Sequence, residues 1–540
     1  MSELRLYIAT AMHLKPSQIF YRIWRKLGGN TPLRRGFISR PDVSKANIRS
    51  IPVLSELDFD PPFLARFDVD AILNDRVELL HHEEYVDWCE SWHMDLSTPL
   101  WRFNFHYHEY LLPLAKAYLD TGNERYLNKA KAIIGSWIEA CPRSKGGVAW
   151  DSYVIAMRVV NWLAFLGELS SELEGDKLFV AQVNESLAEQ LVHLSQHLEK
   201  DLLANHYLED LKALVILACY FDDRETLAFS LSVLRKQIGE QILPDGMHFE
   251  LSPMYHKIIL EDLLRTALFL KGYGYSAAEL VGDFRLQDMC DVLYSLERNT
   301  NRTPLFNDCG DNVSKSRDAL LTCARKRFGI APVYKSELPD AGYAILERET
   351  AAGIVKVILD AGMPGPHFAM GHAHCDALSI EVFVRGEPWI VNGGTYAYQD
   401  ERRLAYKCTL SHSTVRVSGE EQHECWAPFR VALYSEACLL SRDEHSAEGV
   451  LTQRGTTVKV RRTVSLGDDG ISVCDKACPA CTIEVAFLFT GGFPKIDGKV
   501  DEIMYAPDFG FADQVERVIM KNNLIETRIP YPISDWEGQR

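Results

Sequence analysis

The chain has 540 residues, more than one ordinary hydrophobic core accommodates, so two or more domains are expected. Apolar residues make up 47% and charged residues 25%, the balance of a soluble globular protein. The net charge of −17, with no prominent Lys/Arg block, argues against nucleic acid or a membrane surface as partner, although a local basic cleft could still take an anionic substrate.

The N-terminal stretch MSELRLYIATAMHLKPSQIFYRIWRKL places Glu3 and Arg5 early, with no continuous apolar core or small-residue cleavage site. It does not read as a secretory signal, and a cytoplasmic location is expected. The longest apolar run, near LVILACYF, is about half of a membrane span, so no span is expected. Thirteen scattered cysteines suit a reducing compartment better than a disulfide framework. Cys474, Cys478 and Cys481 are spaced like metal ligands but lack a second pair, and they read as a loop.

Up to about residue 335 the apolar positions recur at helical spacing. HEYLLPLAKAYLDTGNERYLNKAKAIIGSWIEACP reads as two helices separated by Thr-Gly-Asn. SYVIAMRVVNWLAFLGELSSEL, NESLAEQLVHLSQHLEKDLL, EDLKALVILACYF and HKIILEDLLRTALFLKGYG continue the series. Short turns imply antiparallel neighbours, and such pairs can curl into a toroid with a central cleft. After DAGYAIL the period changes to two. GIVKVILDAG, LSIEVFVRGEPWIV, STVRVSG, TTVKVRRTVSL, DDGISVCD and TIEVAFLFTGG are short strands of the kind that build a β-sandwich. Residues 1–335 are therefore expected to form an all-α domain and 336–540 a β-domain, packed rigidly together.

Several clusters along the chain could carry chemistry. WRFNFHYHEY around Trp101 and WDSYVIAMRVVNW, with Trp150, Tyr153, Arg158 and Trp162, put aromatic faces beside Arg and Asn, which suits sugar rings. The bland alternative is core packing. LLANHYLEDLKAL places Asn205, His206 and Glu209 at a helix start; as plain structure, Asn205 would be the N-cap and Glu209 would satisfy the histidine. In LPDGMHFELSPMYHKIILEDLL, Ser252-Pro253 is a helix start, leaving Tyr255 and His256 in the first turn, where the helix dipole favours a phenolate.

The densest cluster is GHAHCDALS at 371–379. In an extended segment His372, His374 and Asp376 share one face just ahead of the run IEVFVRGEPWIV. VNGGTYAY and SHSTV follow, the latter with His412. A hydrogen-bonded polar cluster is the alternative to a reactive or binding site.

Taken together, the Asn-His pair, the Tyr-His pair, GHAHCDALS with GGTYAY, and SHSTV resemble the heparinase II/III-like superfamily over residues from about 90 to 440. That superfamily holds polysaccharide lyases acting on uronate-containing glycosaminoglycans and related uronosyl C5-epimerases. The resemblance implies an N-terminal (α/α) toroid followed by a C-terminal antiparallel β-sandwich, in agreement with the periods. It also implies that Tyr255 is the catalytic acid/base, His206 its partner across the sugar ring, and His372 the group completing the site. Asn205 and Glu209 would hold the uronate carboxylate. Independently of the resemblance, Trp150, Tyr153, Arg158 and His256 are the further substrate contacts expected from the residues themselves. His374 and His412 match the family's metal-binding histidines, whereas Asn392 stands where an aspartate is usual, so a structural zinc or manganese ion stays open and Asp376 is a substitute ligand. No organic cofactor is implied.

The chemistry asks for these residue types. A proton next to a carboxylate is weakly acidic, so donors must stabilise the enolate-like intermediate and a base must reach C5. A tyrosine titrates at about 10 when free, so Tyr255 would need a downward shift, which a helix N-terminus and a neighbouring imidazolium would supply. A lyase then expels O4, while an epimerase returns a proton to the opposite face. With no export signal, an enzyme that tailors nascent polysaccharide is the main expectation: a glucuronate C5-epimerase acting on a heparosan- or chondroitin-type chain. A polysaccharide lyase is the alternative, and a non-catalytic glycan-binding protein the third. The polymer, its sulfation and a homodimeric state are left open.

Overall fold

Three helices, Ser152–Glu168, Ala204–Tyr220 and Pro253–Gly272, bury almost every side chain they carry. A helix that is apolar on all sides must be enclosed on all sides. Glu124–Ala140, Lys177–Leu194 and Arg224–Gln241 bury one stripe each and form a second layer around them. Ala204–Tyr220 packs against Ser152–Glu168, Arg224–Gln241 and Pro253–Gly272, giving the double-layered (α/α) toroid. The computed structural model describes residues 3–532 apart from 34–38, 312, 493 and 495.

The Thr-Gly-Asn punctuation holds. Gly122 adopts φ 65° and ends Leu111–Thr121, and the Asn123 side chain accepts from the Arg125 amide to start Glu124–Ala140. Pro253 opens its helix behind the Ser252 N-cap, as the Ser-Pro pair predicts. Asn205 does not cap its helix; Leu203 occupies that position. Three elements near the N-terminus were not foreseen: helices Glu3–His13 and Pro16–Lys26, and a hairpin of Arg76–Leu79 with His82–Tyr85.

The last long helix of the series, Arg317–Phe328, is followed by two large antiparallel sheets and a two-stranded ribbon of Cys425–Ala427 with Arg430–Val431. The larger sheet runs from Lys499–Asp508 through Phe511–Asn522, Ile483–Phe489, Glu387–Val391, Ile380–Val384, Gly353–Asp360 and Tyr343–Thr350 to Glu337–Leu338. The smaller has Glu436–Arg442, Ser446–Thr452, Lys459–Leu466, Gly470–Cys478 and Leu524–Pro530 in that order. One shared core lies between them. The other face of the larger sheet packs on the helical domain, where Phe383, Tyr343 and Ile358 meet Met247, Leu251 and Leu296. Ile380–Val384 is buried at every position for that reason and shows no alternation.

IEVFVRGEPWIV is not one strand but a hairpin. Arg385 (φ 57°) and Gly386 (φ 88°) form its two-residue turn, with φ positive at both as a type I′ turn requires. A Cβ on Gly386 would lie 2.7 Å from Asn301 Oδ1. Cys474 and Cys478 sit in the strand Gly470–Cys478 rather than in a loop, and all thirteen cysteines are free thiols.

Candidate active site

Both helices that carry candidate proton carriers start from a strained backbone. Leu203 (φ 64°) and Ala204 (φ 52°) precede Asn205 and His206, and Leu251 (φ 55°) precedes Ser252. Non-glycine residues in this region cost about 1–3 kcal/mol each and persist where surrounding contacts hold them. Leu251 is held by its carbonyl, which accepts from Asn307 Nδ2 at 3.0 Å and from the Tyr343 hydroxyl at 2.7 Å. Ser252 Oγ donates to the Asp308 carbonyl at 2.6 Å, tying the helix start to the loop that organises the site.

Asp308 is the hub of that loop. Its carboxylate is fully buried and contacts His372 Nδ1 at 2.8 Å, His374 Nε2 at 2.7 Å and the Arg403 guanidinium at 2.5 Å. Burial works against its charge, but Arg403 and the two imidazoles outweigh burial and hold it well below the usual carboxylate range. GHAHCDALS is not the extended segment expected. Met370–His372 is a 3₁₀ turn and the remainder is loop, so a common target, and not a period of two, brings His372 and His374 together. Asp376 points elsewhere and accepts from the Asn307 amide at 2.7 Å.

Tyr255 comes to this cluster from the helical domain. Its ring centroid lies 4.3 Å from that of His372, and its hydroxyl is 2.7 Å from the Tyr398 hydroxyl. The expected downward shift of Tyr255 is reversed. Burial, with Tyr398, Asp308 and Glu250 nearby, pushes the phenol well above its ordinary value, so the group holds its proton. The helix N-terminus does not offset the loss of water.

His206 stands on the next helix. Its Nδ1 is 3.1 Å from Glu199 Oε2, and its ring packs on Tyr153 at 4.7 Å. Burial lowers the affinity of His206 for a proton, but Glu199, Asp151 and Glu250 outweigh it and raise the pKa to about 9. With 37% of the side chain exposed, water screens part of that pull. Asn205 Nδ2 donates to Glu250 Oε2 at 3.1 Å, and Asn205 Oδ1 is buried without a partner. Glu250, raised by burial, feels both His206 and His372 and so bridges the two sides.

Several expected contacts are corrected. Glu209 is wholly buried and ion-paired with Lys212, which also holds Asp262 at 2.8 Å; it does not bond His206. Arg158 is wholly buried, bonding Gln190 Oε1 at 3.0 Å and the Ala149 carbonyl at 2.9 Å. Trp150 spends its indole N–H on the Cys141 carbonyl, and His256 Nε2 meets the Met289 carbonyl at 3.0 Å. These three hold the toroid together, whereas Tyr153 packs against His206 at 4.7 Å. Asp308, Glu199, Glu250 and Tyr398 were not singled out from sequence. NDCGD, HFELSP and GGTYAY each held one of them, yet nothing local marks a carboxylate whose partners are tens of residues away.

His374 Nδ1 and His412 Nε2 lie 3.3 Å apart. Burial lowers both imidazoles, His374 to about 4 and His412 well below its ordinary value, so both are neutral. Neutral rings explain the geometry without an ion: His412 Nε2–H donates to His374 Nδ1, and His374 Nε2–H donates to Asp308. The Asn392 amide is already committed, accepting from the Ser413 amide at 3.1 Å and donating to Ser379 Oγ at 3.3 Å. Among the described residues no group of three His, Cys, Asp or Glu could hold a metal. Two imidazoles and an engaged amide do not fit a four-ligand structural ion.

Comparison with known proteins extends over most of the chain. Residues 56–332 match the family model described as heparinase II/III N-terminus, and residues 332–515 match heparinase II/III-like, C-terminal. The heparin-sulfate lyase of Pedobacter heparinus is 23% identical over 369 residues, covering 60% of this chain and 54% of that protein. That of Bacteroides thetaiotaomicron is 22% identical over 280 residues, covering 49% and 39%. The chain thus spans about half the length, or less, of these curated relatives. Among solved structures, heparinase III superposes with a TM-score of 0.65 at 16% identity, covering 97% of this chain and 90% of the other. A heparan sulfate lyase from Pedobacter heparinus gives 0.54 at 18% identity, covering 96% and 88%.

Proposed function

The chain belongs to the heparinase II/III-like family, and from that premise we propose that it is a polysaccharide lyase acting on a uronate-containing, glycosaminoglycan-like chain. The observation that carries the reading is the meeting of Tyr255 from the toroid with His372 from the sandwich, at 4.3 Å, with Glu250 within electrostatic reach of both His372 and His206. The relatives named heparin-sulfate lyase favour elimination over epimerisation.

In this reading Asn205 and a protonated Glu250, the form that burial favours, donate to the uronate carboxylate. Their hydrogen bonds strengthen as negative charge builds on the carboxylate. His206, in its neutral form, takes the C5 proton. The electrons form the C4–C5 double bond, the C4–O4 bond breaks, and Tyr255 gives its proton to the departing oxygen. A phenol whose pKa is raised suits the acid role. His372, fixed through Nδ1 by Asp308, keeps Nε2 free to hold the sugar or the Tyr255 hydroxyl. No step passes through a metal.

C5-epimerisation is the second reading, and one observation favours it. Tyr255 and His206 both carry protons at neutral pH, and an epimerase must return one. The substrate polymer and a cytoplasmic setting belong to the proposal as well. Incubation with unsulfated glucuronate polymers in heavy water separates the readings. The ultraviolet absorbance of an unsaturated uronate with shortened chains supports the lyase. Deuterium at C5 in intact chains would replace it by the epimerase, and binding with neither product would leave a glycan-binding protein.

A further inference from the structure

Gln18 is the one buried side chain of the helix Pro16–Lys26. A polar side chain carried inward from an otherwise exposed helix must be hydrogen-bonded, and Gln18, 1% exposed, has every polar atom engaged. Its Oε1 accepts from the Lys15 amide at 2.9 Å, while Nε2 donates to the Leu202 carbonyl at 3.1 Å and to the Phe368 carbonyl at 3.3 Å. Two carbonyls and one N–H leave a single orientation for the side-chain amide.

The two carbonyls belong to different domains. Leu202 lies in the turn ahead of the toroid helix Ala204–Tyr220, and Phe368 in the sandwich turn ahead of Met370–His372. Each stands four residues before a histidine of the cleft, His206 on one side and His372 on the other. Between Leu202 and His206, Leu203 (φ 64°) and Ala204 (φ 52°) keep a strained backbone that persists only where contacts hold it. Gln18 holds the near end of that stretch, and Gln241 Nε2 holds the Ala204 carbonyl at 3.0 Å.

Neighbouring contacts repeat the bridge. The Phe368 ring is buried with Ala204 and Phe249 of the toroid. Lys15 Nζ lies 3.8 Å from the centre of that ring and is ion-paired with Glu240 of Arg224–Gln241. Glu3–His13 grips the sandwich, where Arg5 pairs with Glu424 at 2.9 Å and His13 Nε2 meets the Ala432 carbonyl at 2.8 Å. Arg25, by contrast, pairs at 2.6 Å with Asp201 of the toroid.

We infer that Gln18 is a positioning residue, an amide clasp that fixes the His206 and His372 sides of the cleft relative to each other; the inference rests on the lyase reading of that cleft. Both histidines must meet one sugar ring, and a displacement of about 1 Å caused far from the reacting atoms can cost about a hundredfold in rate. Gln18 acts through the two carbonyls and not on the sugar.

Hydrogen exchange of the full chain, read by mass spectrometry without substrate, tests the clasp. Gln18→Met keeps the length of the side chain and removes both donors. Amides in 199–207 and in 366–374 should then exchange together at least about tenfold faster, with the rest of the chain unchanged. Arg25→Gln frees the same helix from Asp201 and should leave 366–374 as it was. On a glucuronate polymer, Gln18→Met should lower kcat about tenfold or more while KM moves much less, and Arg25→Gln should not. If Gln18→Met does not fold, Lys15→Met, at a half-buried side chain, removes the second bridge and should speed both segments in the same way. Faster exchange in one segment alone, in neither, or uniformly along the chain overturns the inference. So does a kcat that is unchanged in Gln18→Met or falls equally in Arg25→Gln. A parent chain that eliminates nothing would overturn the lyase reading instead, and the exchange rates would still decide whether Gln18 couples the two segments.

Discussion

The His372 imidazole is held by Asp308: Nδ1 lies 2.8 Å from Oδ2 of a carboxylate with no solvent access. The same carboxylate pairs with Arg403, so one residue both orients a ring in the cleft and neutralises a buried cation. Asp308→Asn should lower turnover about a hundredfold or more by freeing the wrong imidazole nitrogen. It should also cost about 3 kcal/mol of stability, because Arg403 is left unpaired. Arg403→Met breaks the same ion pair while keeping the histidine bond. If denaturant melts show equal destabilisation and kinetics show equal loss of turnover in both variants, the orienting role of Asp308 is wrong.

Tyr255→Phe removes one hydroxyl and its 2.7 Å contact with Tyr398. Folding should be nearly unchanged and glycan binding kept, while turnover falls at least about a hundredfold. Tyr398→Phe removes the other end of the contact and should cost far less. Steady-state kinetics on the pair decides which phenol moves the proton.

Glu199 sets the titration of His206. With the imidazole raised to about 9, kcat/KM should climb with pH through that value as the base becomes neutral. Glu199→Gln should move the climb toward the ordinary imidazole range of about 6.5. Stability follows the same linkage. A folded pKa above the unfolded one gives a contribution present below pH about 6.5 and lost as pH rises through the folded value. A pH–rate profile unmoved by Glu199→Gln would exclude His206 as the base.

Two glutamates near Asn205 should part company. Glu209→Gln disturbs the buried Lys212 ion pair, so the expected loss is in thermal stability, by about 3 kcal/mol. Glu250→Ala removes the group that accepts from Asn205 and donates to the uronate, and should raise KM and lower kcat. The opposite pattern in melts and kinetics would return the carboxylate-gripping role to Glu209.

The neutral His374–His412 pair needs no ion to satisfy its hydrogen bonds beyond His412 Nδ1. Chelator should therefore leave the melting temperature unchanged, and elemental analysis should find less than one divalent ion per chain. A chelator-dependent drop in melting temperature would place a metal between the rings.

Period and punctuation made much of the architecture legible. The apolar spacing of three and four, the Thr121-Gly122-Asn123 turn and the Ser252-Pro253 start are local, because helices close their hydrogen bonds within four residues. The switch to period two marked the sandwich because successive side chains of a strand face opposite sides, although the strands themselves pair across long separations. The short motifs also brought Tyr255, His206 and His372 into view. Only the tertiary structure decided what these groups are chemically. Asp308, Glu250 and Tyr398 reach the site from separate loops, and the pKa of Tyr255 is set by how much water the two domains exclude. Glu209, Arg158 and His256 have the right chemistry in the sequence but face ion pairs and carbonyls inside the toroid. Burial and partner geometry are properties of the folded packing, and a linear pattern holds neither.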